Sequence, residues 1–311
     1  MIQLLNLTKY YGTGKALQDL SFSVAPGEIV GLVGKNGAGK STALKIISCQ
    51  LLPSEGDVRV DGLSVVESPL EVRHLIGYLP EQPPLYPEMT VTAYLDFTAR
   101  LRGLTASQAQ NRREIVMGET GLSDVCDERL GNLSRGYQQR VGIAQAIIHQ
   151  PRVVLLDEPM AGLDPFQIVQ IRELIRSLRN RHTVLFSSHI LAEITNVCDR
   201  VVLIDRGALK AQGTEGDLHE TLAGQQRLFL QVRGGENKLK AVLDKLPETR
   251  FSDLESRNGE VVQVHITARG DVREILSRAC HEAGLGVMEL RTEKHGLEDL
   301  FMELLGKAEV A

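Results

Sequence analysis

Residues 34–41 read GKNGAGKS, and the reading of this stretch decides the fold. It matches G-x-x-x-x-G-K-[ST], the glycine-rich turn between strand and helix that cradles phosphate. Gly34, Gly37 and Gly39 can take backbone conformations closed to residues with a Cβ. That freedom lets the N–H groups of Gly34, Lys35, Asn36, Gly37, Ala38 and Gly39 turn inward as an anion-binding nest. Lys40 brings an ammonium to β- and γ-phosphates and Ser41 a hydroxyl to Mg²⁺, with Thr42 next in the same helical turn. The flanks agree: EIVGLVG (28–34) is a buried-strand pattern and STALKIIS (41–48) is helix-like, its N-terminus adding partial positive charge. The bland alternative, an ordinary glycine-rich turn, does not account for strand before and helix after.

The remainder of the chain sets bounds on that site. Its 311 residues suggest about two domains. A hydrophobic content of 42% with 24% charged residues is that of a soluble globular protein. A formal net charge of -5 gives no overall attraction to nucleic acid or anionic lipid. Cys49, Cys126, Cys198 and Cys280 stand far apart with no C-x-x-C pair, so they read as buried small hydrophobes in a reducing compartment. The opening residues lack a signal-peptide pattern, and no apolar run approaches the ~18 residues that span a bilayer. A cytosolic chain is expected, whose membrane role, if it has one, comes through a partner.

In chain order, residues 2–24 read as two strands around a turn at 12–15, the start of an antiparallel β subdomain. Further strands are expected at 76–79, in PRVVLLDEP (151–159), in HTVLFSSH (182–189) and in the hairpin DRVVLIDRGALKAQG (199–213). Helical patterns lie between them. This alternation predicts an α/β core of the P-loop ATPase kind, with a helical subdomain inserted at about 90–150. The pattern breaks around 213–225. Beyond it strand, helix, strand, strand, helix, strand is expected, the βαββαβ order of a ferredoxin-like α+β domain, followed by a helix at 297–305. Asn258-Gly259 marks the middle hairpin. The expected domains are 1–223 and 224–311.

Four more stretches converge on the P-loop. VVLLDEP (153–159) is an apolar strand ending in Asp157 and Glu158; an acid there supports Mg²⁺, and the next can polarise the attacking water. LSRGYQQR (133–140) precedes it by a helix's length, AGLDP (161–165) follows it, and His189 closes HTVLFSSH. This set, in this order, resembles the ATP-binding subunit of ABC transporters over roughly residues 1–220. The loop YLPEQPPLYPEMTV, LSRGYQQRVGIAQA and the extra C-terminal domain are similar to ATPases of ABC-2-type exporters, including the gliding-motility type.

The resemblance implies ATP and Mg²⁺ as ligands. It makes Lys40 a phosphate contact, Glu158 the general base, His189 the switch histidine against the γ-phosphate and Asp157 a metal ligand. Gln82 becomes the Q-loop contact to Mg²⁺, Asp164 the D-loop aspartate, and Tyr11 the ring that stacks on adenine. Ser134 and Gly136, in the signature motif, would face the γ-phosphate held by a second subunit. One P-loop and one signature per chain imply a head-to-tail pair, most simply a homodimer. The implied partners are that second subunit and a transmembrane permease, which would hold the chain on the cytoplasmic face of the cell membrane; no nucleic acid is expected. A soluble ABC ATPase acting on nucleic acid or the ribosome is the alternative, but such chains usually carry two ATPase units or a long coiled coil. A small-molecule P-loop kinase leaves LSRGYQQR unexplained.

Each assignment has a plainer counterpart. Arg135 and Tyr137 depart from the common L-S-G-G-Q: Arg135 either adds charge toward nucleotide or partner, or is a solvated surface residue. His189 could be structural, Gln82 plain surface, and Tyr11 an edge aromatic like Tyr10. Asp164 also suits a helix N-cap. His74, His149, His182 and His219 have no partner pattern. For the permease, the expected docking surface is Leu85, Tyr86 and Met89, continued by Tyr94, Leu95 and Phe97; the plainer counterpart, that these side chains close the insertion's own core, suits Leu95 and Phe97 better than Tyr86 and Met89. The apolar stripe Leu297, Leu300, Phe301, Leu304 and Leu305 either covers its own sheet or forms a dimer contact.

Overall fold

Five short strands are apolar on both faces and buried end to end or nearly so, which is the signature of parallel strands covered by helices. In the computed structural model, which describes residues 1–190, 193–194, 197–214, 216–218, 226–244, 246, 249–258, 261–268 and 271–293, these five lie side by side in one sheet. Two compact units result, Met1–Thr214 and Glu215–Ala311.

The first unit contains, in order, β1 (Ile2–Tyr11), β2 (Gly14–Val24), β3 (Ile29–Val33), α1 (Lys40–Ile47), β4 (Glu55–Val60), β5 (Leu63–Ser64), α2 (Pro69–Leu75), β6 (Ile76–Leu79), α3 (Val91–Leu101), α4 (Ala106–Thr120), α5 (Arg135–Ile147), β7 (Val153–Leu156), α6 (Pro165–Ser177), β8 (Thr183–Ser188), β9 (Arg200–Asp205) and β10 (Ala208–Gly213). The main sheet runs β10-β9-β3-β8-β7-β6. All neighbours are parallel except β10, which returns antiparallel on β9 at the edge. The other sheet, β2-β1-β4-β5, is antiparallel throughout. Between them α1 buries Ala43, Leu44, Ile46 and Ile47 in a core shared with Leu4, Phe22, Val30, Leu32 and Val58. The phosphate loop is thereby anchored at both ends in packed structure.

The helical insertion consists of three helices, α3, α4 and α5, separated by turns. Helix α4 starts on a Thr105–Gln108 capping box and stops at Gly121, which takes a left-handed conformation (φ 64), the usual helix stop. Only short 3₁₀ turns, Ser123–Val125 and Leu130–Asn132, follow before α5. Helix α5 also packs on β6, and a Cβ on Gly77 would overlap the Ala146 carbonyl. The strand that leads to the proline-rich loop and the helix that begins with the signature are therefore pressed together.

The second unit is β11 (Gln226–Arg233), α7 (Glu236–Leu243), β12 (Thr249–Asn258), β13 (Val261–Ala268), α8 (Arg273–Glu282) and β14 (Gly286–Glu293). Its antiparallel sheet has the order β12-β13-β11-β14, the ferredoxin-like arrangement. Leu228, Leu230, Val264, Ile266, Leu239 and Leu276 meet in its core. The Asn-Gly turn at 258–259, the boundary expected at 223/224 and the helix expected at 297–305 lie outside the described residues, wholly or in part. Among the described residues no helix is long and apolar enough to cross a membrane.

Candidate functional site

Strand β3 delivers the chain to the phosphate loop with Val33 fully buried, and α1 leaves it at Lys40. Gly37 (φ 81) and Gly39 (φ 104) use the backbone freedom expected of them. Gly34 is needed for space instead: a Cβ there would collide with the Ile204 carbonyl and lie 2.9 Å from the Ala38 Cβ. Lys40 is 5% exposed. Its Nζ donates to the carbonyls of Gly34 (2.8 Å) and Lys35 (3.3 Å) and pairs with Glu158 Oε1 at 3.1 Å. The ammonium is thus aimed along the loop from inside, and a buried charge of this kind is tolerable only with such partners.

Asp157 and Glu158 follow β7 directly. Parallel pairing sets β7 beside β8, with Leu156 opposite Phe186, and this register brings Ser187 to the two acids. Ser187 Oγ donates to Asp157 Oδ1 (2.7 Å) and accepts from the Glu158 backbone N–H (2.8 Å). Ser41 Oγ donates to the same Asp157 oxygen at 3.0 Å. The backbone of Glu158 is bent into the left-handed region (φ 48), an uncommon conformation for a residue with a side chain. Its carboxylate reaches Lys40 on one oxygen and His189 Nδ1 on the other, at 2.8 Å. A base held between a cation and an imidazole suits activation of a water.

Lys40, Glu158 and His189 border a cavity of about 360 Å³, and Asp157 is hydrogen-bonded to Ser41, which also lines it. Asn36, Gly37, Gly39, Lys40, Ser41 and Thr42 line one side; Glu158, Ala161 and His189 also line it, and Ala16 of β2 contributes. The fit to Mg²⁺ rests on the Ser41 hydroxyl and the Asp157 carboxylate, hard oxygen ligands already in contact. Among the described residues no group of three or more His, Cys, Asp or Glu could hold a metal ion alone. Mg²⁺ usually takes one or two carboxylates, water and substrate phosphate, so this donor set matches it.

Two expected residues are placed elsewhere. Gln82 is exposed and is not among the cavity's lining; its neighbour Glu81 is. A proline-rich loop has no strand or helix period to say which of two adjacent side chains turns inward. Tyr11, at the end of the first hairpin, is 53% exposed with Lys9 Nζ 5.7 Å from its ring, and it does not line the cavity. Ser187 belongs to no motif, although the two serines, Ser187 and Ser188, that close a fully buried strand before His189 are a visible anomaly.

The signature lies at a different place on the same unit. Ser134 caps α5 and accepts from the Tyr137 N–H, and Asp164 caps α6, its Oδ1 accepting from Gln167 N at 2.9 Å. Ser134, Gly136, Asp164 and Gln167 line one shallow cavity of about 220 Å³, so the N-cap reading of Asp164 holds while its side chain also faces the signature. Any Cβ on Gly136 would lie 2.7 Å from the Gln167 side chain. The Arg135 guanidinium occupies the space that a Cβ on Gly162 would take, so this charge lies over the loop that follows Glu158. Tyr137 has the Arg140 guanidinium 5.3 Å from its ring.

On the expected docking surface, Tyr94 (2% exposed) and Leu95 (0%) are core residues. Both lie on the face of α3 that packs inward. Tyr86 and Phe97 are exposed and stack edge to face, centroids 5.8 Å apart.

Comparison with known proteins adds the family context. The ABC transporter family model matches residues 17–161. The ABC transporter ATP-binding protein YxlF of Bacillus subtilis (strain 168) is 33% identical over 98% of this chain and 99% of its own length. The bacitracin transport ATP-binding protein BcrA of Bacillus licheniformis is 31% identical over 98% of this chain and 97% of its own. Among solved structures, the dimeric post-hydrolysis state of the ATP-binding cassette MJ0796, bound to ADP and Pi, superposes with a TM-score of 0.63 at 26% identity, covering 69% of this chain and 98% of that one.

Proposed function

This chain belongs to the ABC transporter family as an ATP-binding subunit that hydrolyses ATP, and from that premise we propose that two copies pair head to tail to drive a separate permease of the exporter type. The observation that carries the reading is the division of the ATP machinery between two cavities: one has Lys40, Glu158 and His189, the other Ser134, Gly136 and Asp164. A single phosphate loop leaves the outer face of the γ-phosphate uncovered. The signature cavity of a second copy supplies donors for that face only while the phosphate is attached. Pairing therefore follows ATP binding, and hydrolysis reverses it, a differential affinity able to shift a conformational equilibrium.

The residues divide the chemistry as follows. The loop N–H groups and Lys40 hold the phosphates, and an ATP that takes over the ammonium frees one oxygen of Glu158 to accept the proton of the attacking water. His189 orients that carboxylate through its 2.8 Å contact. Ser41 and Asp157 would hold Mg²⁺, which neutralises phosphate charge when bound, and Glu81, in place of Gln82, is the loop residue that faces it. Tyr11 reaches the adenine from the hairpin rim. BcrA is named for bacitracin transport, and export through a permease is the corresponding role here, with the chain peripheral on the cytoplasmic side of the membrane. The second unit serves assembly and takes no part in hydrolysis.

The test is Glu158→Gln. It is expected to keep ATP binding and to lower turnover by about 10²-fold or more, because an amide cannot accept the proton. ATP should also hold this variant as a dimer on a sizing column. Turnover at the wild-type rate would remove Glu158 as the base, and a monomer with ATP bound would count against the head-to-tail pair.

A further inference from the structure

A third cavity, of about 280 Å³, is lined by Arg73, Tyr78, Pro80, Pro84, Arg102 and Gln145 among others, residues from α2, β6, the loop after β6, the end of α3 and α5. Two arginines line it, Arg102 partly buried and Arg73 exposed. Arg73 Nη2 donates to the Cys49 carbonyl (2.7 Å), and Arg102 Nη1 donates to the Arg73 carbonyl (3.1 Å). A guanidinium has five N–H donors, so most remain available. Among the described residues neither arginine has a carboxylate within ion-pair distance, and burial alone lowers the Arg102 pKa. His149 does not add charge: burial first, then Arg102, pushes its pKa down to about 4. Tyr78 is 7% exposed, and its buried hydroxyl has no hydrogen-bond partner; nor has the buried Oε1 of Gln145. Unpartnered buried polar atoms are rare and call for a reason.

We infer that this cavity receives a carboxylate, an Asp or Glu side chain on a cytosolic segment of the permease, held by Arg73 and Arg102 with the Tyr78 hydroxyl as a further donor. The inference rests on the proposal that a permease docks beside the loop after β6, and it names the chemistry of that contact. Charge complementarity selects an acid: two guanidiniums without carboxylates match one, bidentate pairing being the strongest use of the group. Apolar side chains beside the cavity select a protein segment over a free anion. Leu101, next to Arg102, is 70% exposed, and the Tyr86–Phe97 stack belongs to the same loop and to α3. A half-turn of the Gln145 amide replaces its partnerless oxygen with N–H donors.

The site also shares a wall with the ATP cavity. Pro80 and Pro84 line the one, while Glu81, between them, lines the other. The loop is tied to α3, where the Tyr94 hydroxyl donates to the Pro84 carbonyl at 3.2 Å. Seating a carboxylate against Arg102 therefore bears on the segment that carries Glu81.

The experiment uses the full-length chain purified with its permease in detergent. Arg73→Gln combined with Arg102→Gln is expected to weaken association by about tenfold, the cost of removing one side of a partly buried charge-assisted contact, with the ATPase rate of the isolated subunit unchanged. Arg73→Glu should be rescued by Lys at one cytosolic acid of the permease. Tyr78→Phe removes no internal hydrogen bond, so it should keep the melting temperature and weaken association about threefold to tenfold. It decides the matter if the arginine variants fold poorly. Full association in the arginine pair and in Tyr78→Phe, with association lost in Tyr86→Ala plus Met89→Ala, would overturn the carboxylate site and leave the docking surface standing. Association unchanged in all of these would remove the docking surface and the inference with it.

Discussion

The two units bury different things. In Met1–Thr214 the interior includes Lys40, Asp157, Glu158, Ser187 and Ser188, all below a tenth exposed. In the second unit every buried side chain among the described residues is apolar. The same division holds for the backbone: among the described residues, the non-glycine residues at positive φ, Glu158 among them, all lie at or before Arg206. The described core of the second unit is hydrophobic. The first spends part of its stability on desolvated charge and unusual backbone, and recovers it through paired contacts such as Lys40–Glu158 and the shared oxygen of Asp157. Where a fold carries such costs, chemistry is the reason to look for first.

Lys40→Ala strikes the first unit where that cost is greatest. Loss of a charge-assisted contact to phosphate is worth about 1.5–3 kcal/mol, so ATP affinity should fall roughly 10- to 150-fold, measured with a fluorescent nucleotide. Unchanged affinity would end the assignment of the loop. Leu276→Ala sharpens the contrast from the other side. Leu276 is fully buried in the second unit, and truncation should cost that unit about 2–5 kcal/mol in a denaturant titration. ATP affinity should stay within about twofold, since no described residue of that unit lines the ATP cavity and unconnected sites behave independently. A large fall in affinity would show that the two units are not divided as their interiors suggest. The smallest effect belongs to Gln82→Ala, a surface change expected to alter ATPase by less than about twofold, whereas Glu81→Gln should lower the activity severalfold and raise the Mg²⁺ it requires. The reverse order would return the loop contact to Gln82.

What was legible in the sequence was whatever is local along it. Residues 34–41 make their nest from consecutive backbone groups, so the motif carries its own geometry, and the strand and helix beside it were readable from burial period. Ser187 depends on which strand lies beside β7 and in which register, which no single stretch contains. The Glu81–Gln82 choice was illegible because prolines break the period that tells inside from outside. The sequence does not separate buried Tyr94 and Leu95 from exposed Phe97, because an apolar helix face reads the same whether it meets its own core or a partner. Arg135 over Gly162 required two motifs, each understood separately, to be seen in contact.

The backbone of Glu158 has a consequence for how this site would decay. The position makes two demands that pull apart: a long acidic side chain for the proton, and a left-handed conformation that favours glycine and, after it, asparagine or aspartate. Selection for hydrolysis holds the first demand against the second. A duplicated copy released from that selection is expected to drift at 158 toward Gly, Asn or Asp, since each eases the backbone at no further loss, and to avoid Val, Ile and Thr, whose branched Cβ fits that conformation worst. In a paired machine such a copy would keep its cavity and its partner while its own half no longer turned over. The residue at this one position would record which half had fallen silent.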